Sequence, residues 1–317
     1  MFDISMNGSK HLVLDRRKFL GIAAGLVAAS VIPKSALALA APYSFKQGAY
    51  DVTVVSDGTL MLPLSVVSPE AKPEDLKVLL GAMMQGEQAQ FEASPLLFKS
   101  GSDVILMDTG SGAGFQPTSG KIAESLKSVG VDAGAITKVI FTHAHPDHPW
   151  GNLCADGKPI FANASFHVAE TEWNFWTAPD LAGKMPKDME GMVKNTQAQL
   201  AAIKDKVAMF KPGAEVLPGI NVLDTAGHTP GHVSFELAGG HGLIITADAI
   251  TNPLVFFPHP DWKFAFDADH DTAIANRKKL LDMASADKKK LLGFHWPYPG
   301  IGMAEAKDGA YVYVPAA

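Results

Sequence analysis

Residues 142–151 read THAHPDHPWG, and His143, His145, Asp147 and His148 put four candidate metal ligands inside six consecutive positions. A lone histidine is usually a satisfied core or surface residue, but three of them with an aspartate at this spacing serve no packing purpose. The preceding run, ITKVIF (136–141), is apolar and β-branched enough to be a buried strand. The cluster therefore falls on the loop where a strand ends, which is where α/β sheets bind ligands. Imidazoles and a carboxylate, with no thiolate among them, favour zinc or another borderline divalent ion over copper(I) or an iron–sulfur centre. The chemistry suggested is hydrolysis by a metal-bound hydroxide.

A dinuclear site needs two ions about 3.5–4 Å apart, each with roughly four ligands, and a carboxylate able to bridge them. One loop cannot supply that. Three later positions each follow an apolar strand and open a loop: His228 after INVLDTAG, Asp248 after LIITA, and His295 after LLGF. His232 follows a Pro-Gly turn and is placed to orient a loop carbonyl near His228. His167 lies in a strand, His241 in a hairpin and His270 beside a helix start, positions that suit structural or exposed histidines. The glycines at 110, 112 and 114 miss the G-x-G-x-x-G spacing, so a dinucleotide loop is not expected.

The 317 residues suffice for one large α/β or sandwich domain with a sizeable core. With 47% hydrophobic and 19% charged residues the chain reads as globular. The net charge of -6 and the absence of a basic block argue against nucleic acid as a partner. The single cysteine, Cys154, excludes an intramolecular disulfide and is read as a small buried hydrophobe rather than a ligand.

The N-terminus carries its own signal. Asp15-Arg16-Arg17-Lys18-Phe19-Leu20 is a twin-arginine pattern, followed by an apolar run over 21–32 and small-residue cleavage options at Ala38 or Ala40. This resembles a Tat export signal, and the run is too short to span a bilayer at about 20 residues per helix. The expectation is a removable leader over 1–40, a hydrolase domain over 41–317, no stable membrane anchor after cleavage, and a periplasmic or secreted protein. The mature chain would hold 22 Lys plus Arg against 31 Asp plus Glu, a net charge of -9. Tat-type export suits proteins that fold and load cofactors before crossing.

Periodicity predicts the remaining elements. The stretch DVTVVSDGTLMLPL (51–64) alternates like two strands around an Asp57-Gly58 hairpin turn. Helices are expected over 73–84, 119–129, 188–207 and 271–284, and short strands over 159–161 and 165–168. A hairpin joins SPLLFKS to DVILMD, another joins SFEL to GLIIT, and YVYV closes the chain. Many aromatic residues sit on loops near the ligands, so Trp150, Trp173, Trp176, Phe257, His259 and Trp296 are expected to line an apolar substrate pocket.

The pattern His-x-His-x-Asp-His resembles the metal motif of the metallo-β-lactamase superfamily. The stretches LMDTGSGAGFQPT (106–118), FDAD (266–269), NRKKLLD (276–282) and FHWPYPGIG (294–302) are similar to the methyl parathion hydrolase group within it. The resemblance implies an α/β, αβ/βα four-layer sandwich: two mixed β-sheets with helices on the outer faces. It implies that His143, His145 and His228 hold one ion, that Asp147, His148 and His295 hold a second, and that Asp248 bridges both. The ions would be divalent, zinc foremost, and Asp147 and Asp248 are the candidate catalytic carboxylates. Asp108 matches a position that supports the ligands from behind.

The implied activity is cleavage of a small apolar lactone, aryl ester or phosphotriester by a bridging hydroxide, and a homodimer is in keeping with the group. Three departures bear on the substrate. Ala247 stands where a Gly usually precedes the bridging Asp, Pro149-Trp150 replaces smaller residues after the motif, and Thr251 stands where N-acyl homoserine lactonases often have Tyr. The alternatives are such a lactonase, a class B β-lactamase-like or thioester hydrolase, an iron-dependent oxygenase of the same fold, and a non-catalytic metal-binding protein. A class B enzyme usually lacks the Asp147–His148 pair and the bridging Asp.

Overall fold

The structure, a computed structural model, describes residues 39–154 and 156–316, together with the backbone of a short antiparallel pair, Phe2–Ile4 with Leu12–Leu14. The twin-arginine pattern and the apolar run after it lie outside the described residues. No helix among the described residues is long and apolar enough to cross a membrane.

Two seven-stranded sheets form the body of the molecule. The N-terminal sheet runs, edge to edge, Val207–Phe210, Ser165–Ala169, Lys138–Ile140, Asp103–Met107, Leu96–Ser100, Tyr50–Val54 and Tyr43–Gln47. Its first four strands are mutually parallel and the rest antiparallel. The C-terminal sheet runs Glu215–Leu217, Ile220–Asp224, Val233–Leu237, Leu243–Ile245, Lys290–Leu292, Ile301–Lys307 and Ala310–Pro315, with a parallel pair only at Leu243–Ile245 and Lys290–Leu292. That strand pairing makes both sheets mixed; helices cross between most of the parallel strands, whereas Lys138–Ile140 reaches Ser165–Ala169 through the loop that carries His143 to His148.

The period-2 rule decides where the core sits. Val52, Val54, Phe98, Ile105 and Ile140 from one sheet meet Ile220, Val222, Phe235, Leu237, Leu243 and Leu292 from the other. The alternate residues Leu97, Leu106, Val139 and Phe166 point outward, onto an apolar cluster shared with the Ile122–Ser128, Glu170–Trp176 and Glu190–Ala201 helices. On the opposite face Ile244 and Leu291 meet Leu280, Leu281 and Ala284 of the His270–Asp287 helix. The layers are thus helix, sheet, sheet, helix. That last helix starts where the Asp269 side chain accepts from the Thr272 amide, and stops where Lys288 turns left-handed.

Three expectations are corrected. The Asp57-Gly58 stretch is no hairpin: Tyr50–Val54 pairs with Leu96–Ser100, whereas Gly58–Pro63 pairs with Gln88–Ala93 in a separate three-stranded sheet. Alternation marked two strands but carried no information about their partners. Residues 159–161 form only an isolated bridge, Leu153 to Pro159. The helix expected over 188–207 ends at Ala201, and Val207 already belongs to the edge strand Val207–Phe210.

Candidate metal centre

The strand ends bring the ligand candidates together. Lys138–Ile140 feeds the loop of His143, His145, Asp147 and His148; Ile220–Asp224 leads to His228, Leu243–Ile245 to Asp248, and Lys290–Leu292 to His295. Three groups of side chains have donor atoms close enough to share an ion: His143 with His145 and His228; Asp147 with His148 and His295; and His143 with His148 and Asp248. The Asp248 carboxylate is central to them. Its oxygens lie 3.3 Å from Nε2 of His228 and of His295, 3.5 Å from Nε2 of His148 and 3.9 Å from Nε2 of His143.

The chemistry of this set fits a pair of divalent ions. Nε2 of His143, Nε2 of His148 and Oδ1 of Asp248 are buried without any hydrogen-bond partner, which soluble proteins rarely tolerate. Nδ1 of His145 and Nε2 of His228 face each other at 2.8 Å, close enough to share a proton in the metal-free protein or an ion when both are deprotonated. Ligand atoms 3–4 Å apart, with their lone pairs inward, are what ions bonded at about 2.0–2.2 Å would reconcile.

Each inward nitrogen is set by what the other side of its ring does. His148 directs Nδ1 to Asp108 Oδ2 at 2.8 Å, His228 to Asp267 Oδ1 at 2.9 Å, and His295 to the Glu92 carbonyl at 2.7 Å. Asp108, at φ 60, adopts a left-handed backbone at its strand end, and its carboxylate also accepts from the amide and hydroxyl of Thr142. His232 donates from Nδ1 to the Thr225 carbonyl at 3.1 Å, and its Nε2 accepts from the Asp248 amide, also at 3.1 Å. It therefore holds the backbone of Asp248 in place.

The charges are strongly interdependent. In the metal-free protein burial pushes His145 down to about 3, helped by the charge of His228. Burial opposes protonation of His228 and His295 as well, yet Asp248 and Asp267 raise the first to about 9, and Asp248 and Asp147 raise the second to about 10. Burial likewise pushes the Asp248 carboxyl up, but the neighbouring histidines overcome it and hold the group well below the usual range.

Three further residues serve the centre and were not singled out by sequence reasoning. Asp267 receives His228 on one oxygen and Arg277 Nη2, at 3.2 Å, on the other. Arg277 is buried, donates to the carbonyls of Ala249, Pro260 and Trp262, and lies 4.1 Å from the centre of the Phe256 ring. Glu172, fully buried, accepts four hydrogen bonds. Asp267 and Arg277 fall within FDAD and NRKKLLD, but no spacing rule distinguishes a buried brace from a solvated charge.

Beside the ligands opens a cavity of about 230 Å³. Its walls are Leu60, Leu62, Phe91, Phe115, Trp150, Met189, Met192, Phe264 and Phe266, with Thr251 and, at the rim, Asp188. Among the described residues no Lys or Arg lines it. Trp150 donates from its indole to Thr196 Oγ1 at 2.9 Å and meets Phe115 edge-on. The other expected pocket residues are placed elsewhere. Trp296 is fully buried and donates to the Ile250 carbonyl, and Phe257 packs against it in the core. Trp176 is bonded to Glu172, Trp173 packs on the outer helical layer, and His259 stacks on Trp262. Loop position alone did not separate pocket aromatics from core aromatics. Cys154 is exposed, contrary to the buried reading, and stands in none of the ligand groups.

Residues 91–295 match the family model of the metallo-beta-lactamase superfamily, and the chain belongs to that superfamily. Among solved structures it is similar to AidC, described as a dizinc quorum-quenching lactonase, with 29% identity, 87% of this chain and 97% of that one covered, and a TM-score of 0.80. It is also similar to AbOPH, a hydrolase in the beta lactamase superfamily, with 28% identity, coverage of 88% and 99%, and a TM-score of 0.81. A curated N-acyl homoserine lactonase from Bacillus sp is 26% identical over 171 residues, 53% of this chain and 59% of that protein. The chain thus spans less than two thirds of the length of that curated relative.

Proposed function

We propose that this protein is a dinuclear metal-dependent hydrolase of small, neutral, apolar ester-type substrates: lactones, aryl esters or phosphotriesters. The observation that carries the reading is the convergence of seven candidate ligand side chains, several with unpartnered inward atoms, beside an apolar cavity that no described Lys or Arg lines. His143, His145 and His228 would hold one ion, Asp147, His148 and His295 the other, and Asp248 would touch both. Zinc is the ion that the donor set and the likeness to AidC support. Such a pair supplies a water-derived nucleophile at neutral pH and polarises the bond under attack.

The protein's own side chains contribute shape and exclusion. Phe264, lying over His228 with ring centres 5.8 Å apart, and Phe266 and Trp150 give flat apolar walls for an acyl or aryl group. The same walls keep bulk water from the reacting bond. The apolar walls, with no Lys or Arg among the described lining residues, suit a neutral substrate better than one bearing a carboxylate. The likeness to AidC favours an N-acyl homoserine lactone as one specific substrate, whereas Thr251 in place of Tyr weighs against it. A panel of p-nitrophenyl esters, paraoxon-type triesters, aryl lactones and N-acyl homoserine lactones tests the reading. Turnover of β-lactams or thioesters with none on that panel would overturn it.

The twin-arginine pattern at Arg16-Arg17 supports export of the folded, metal-loaded chain to the periplasm or beyond. Fractionation of cells expressing the full chain and its Arg16→Lys, Arg17→Lys variant tests this. A homodimer is the assembly favoured by the group resemblance, checked by light scattering.

A further inference from the structure

We infer that Glu172 is a positioning residue that clamps the two loops supplying His143, His145 and His228, and thereby sets ion affinity at that group of ligands and not at the other. The inference rests on the dinuclear reading above. Glu172 is neither a ligand candidate nor part of the cavity wall; it is the third residue of the Glu170–Trp176 helix and has no exposure to solvent. One of its oxygens accepts from the Ala144 amide at 2.8 Å, and Ala144 sits between His143 and His145. The other accepts from Thr229 Oγ1 at 2.7 Å and from the Gly231 amide at 2.9 Å, on the loop that begins with His228. One carboxylate therefore ties together two loops that are more than eighty residues apart in sequence.

The clamp is tight. A Cβ on Gly231 would lie 2.1 Å from the Glu172 nitrogen, so this loop is held against the helix by backbone approach that only glycine permits. Trp176 donates its indole N–H to the same carboxylate at 2.8 Å, and its ring stands edge-on to His145 with centres 5.9 Å apart. Trp176 thus braces the imidazole of a candidate ligand instead of facing substrate.

The second ligand group has orienting partners of its own, although Asp108 also anchors Thr142 at the start of the loop that both groups share. His148 and His295 are oriented by Asp108 and by the Glu92 carbonyl, neither of which contacts Glu172. All four hydrogen bonds to Glu172 come from donors, two backbone amides, a hydroxyl and an indole, so an ionised, acceptor-only carboxylate satisfies the site completely. A glutamine of the same shape would turn an amide N–H₂ toward at least one of those donors and release one loop from the other.

The test measures ion affinity, not turnover, by competition with a chelator. In a His295→Ala background, where the His143–His145–His228 group remains intact, Glu172→Gln should weaken the retained ion by 10- to 100-fold. In a His228→Ala background, where the retained ion is held by Asp147, His148 and His295, the same substitution should change affinity less than about threefold, since Glu172 bonds none of those residues. Unchanged affinity on Glu172→Gln in the His295→Ala background, or equal weakening in both backgrounds, would overturn the inference. Should Glu172→Gln not fold, Thr229→Val removes one donor and leaves three, and should weaken the same group alone by a smaller factor; no selective change there overturns the inference too. If the unsubstituted protein holds no ion, the dinuclear reading itself falls, a result distinct from either outcome.

Discussion

Asp248 is the residue on which the centre depends most. Its two oxygens face nitrogens from both ligand groups, while its backbone is held by His232. Loss of residues that merely orient a ligand typically lowers metal affinity or activity about 10- to 100-fold, so Asp248→Ala should lower kcat/KM by at least about 100-fold and leave fewer than two ions per chain by elemental analysis. Full activity with both ions retained would refute the assignment. The protonation states give a second prediction. His228 and His295 are raised to about 9 and about 10, so in the metal-free protein their stabilising contribution is complete below about pH 6.5 and lost as pH climbs through those values. His145, lowered to about 3, works in the opposite window: its contribution is present above pH 6.5 and lost as pH falls toward 3. The stripped protein should therefore melt highest near pH 6.5 and progressively lower toward pH 10. A melting temperature that is flat over that range would contradict the charge pattern described here.

At the scale of elements, the loop after the metal motif and the Glu190–Ala201 helix form one wall of the cavity. Trp150 joins them through Thr196, beside Met189 and Met192. Trp150→Ala should lower kcat/KM for small aryl esters by about 10-fold, the scale of a lost apolar contact with substrate, while leaving the ion content unchanged. Loss of ions in that variant would instead make Trp150 a support of the centre. A second wall depends on Asp57, which accepts from the Ser111 amide and hydroxyl and from the amides of Gly120 and Ile122, pinning the loop that carries Phe115. Asp57→Ala strands several buried donors and should cost about 3 kcal/mol or more in urea unfolding, with a raised KM. The sequence had marked Asp57 as a turn residue. Turn chemistry and a buried carboxylate latch use the same side chain, and only the tertiary partners distinguish them. Strand and helix existence was legible because periodicity is local; the pairing of Gly58–Pro63 with Gln88–Ala93 was not, because register across thirty residues is set by the other sheet's packing.

At the scale of the whole molecule, the two mixed sheets stack so that their strand ends deliver the candidate ligands to one place, and this is why their convergence was legible in the sequence. His143 to His148 announce themselves by density, and His228, Asp248 and His295 by their positions after apolar strands. The braces Glu172, Asp267 and Arg277 were silent, since burial of a charged residue leaves no mark on its neighbours in sequence. Of the aromatic residues expected at a pocket, only Trp150 lines the cavity beside the candidate ligands; Trp296 and Phe257 went instead to the core between the second sheet and its helix. The proposed chemistry needs two ions held by one chain. Elemental analysis of the purified, folded protein is its most direct test: close to two divalent ions per chain is the result expected, and one ion or none in a protein that still cleaves esters would contradict it.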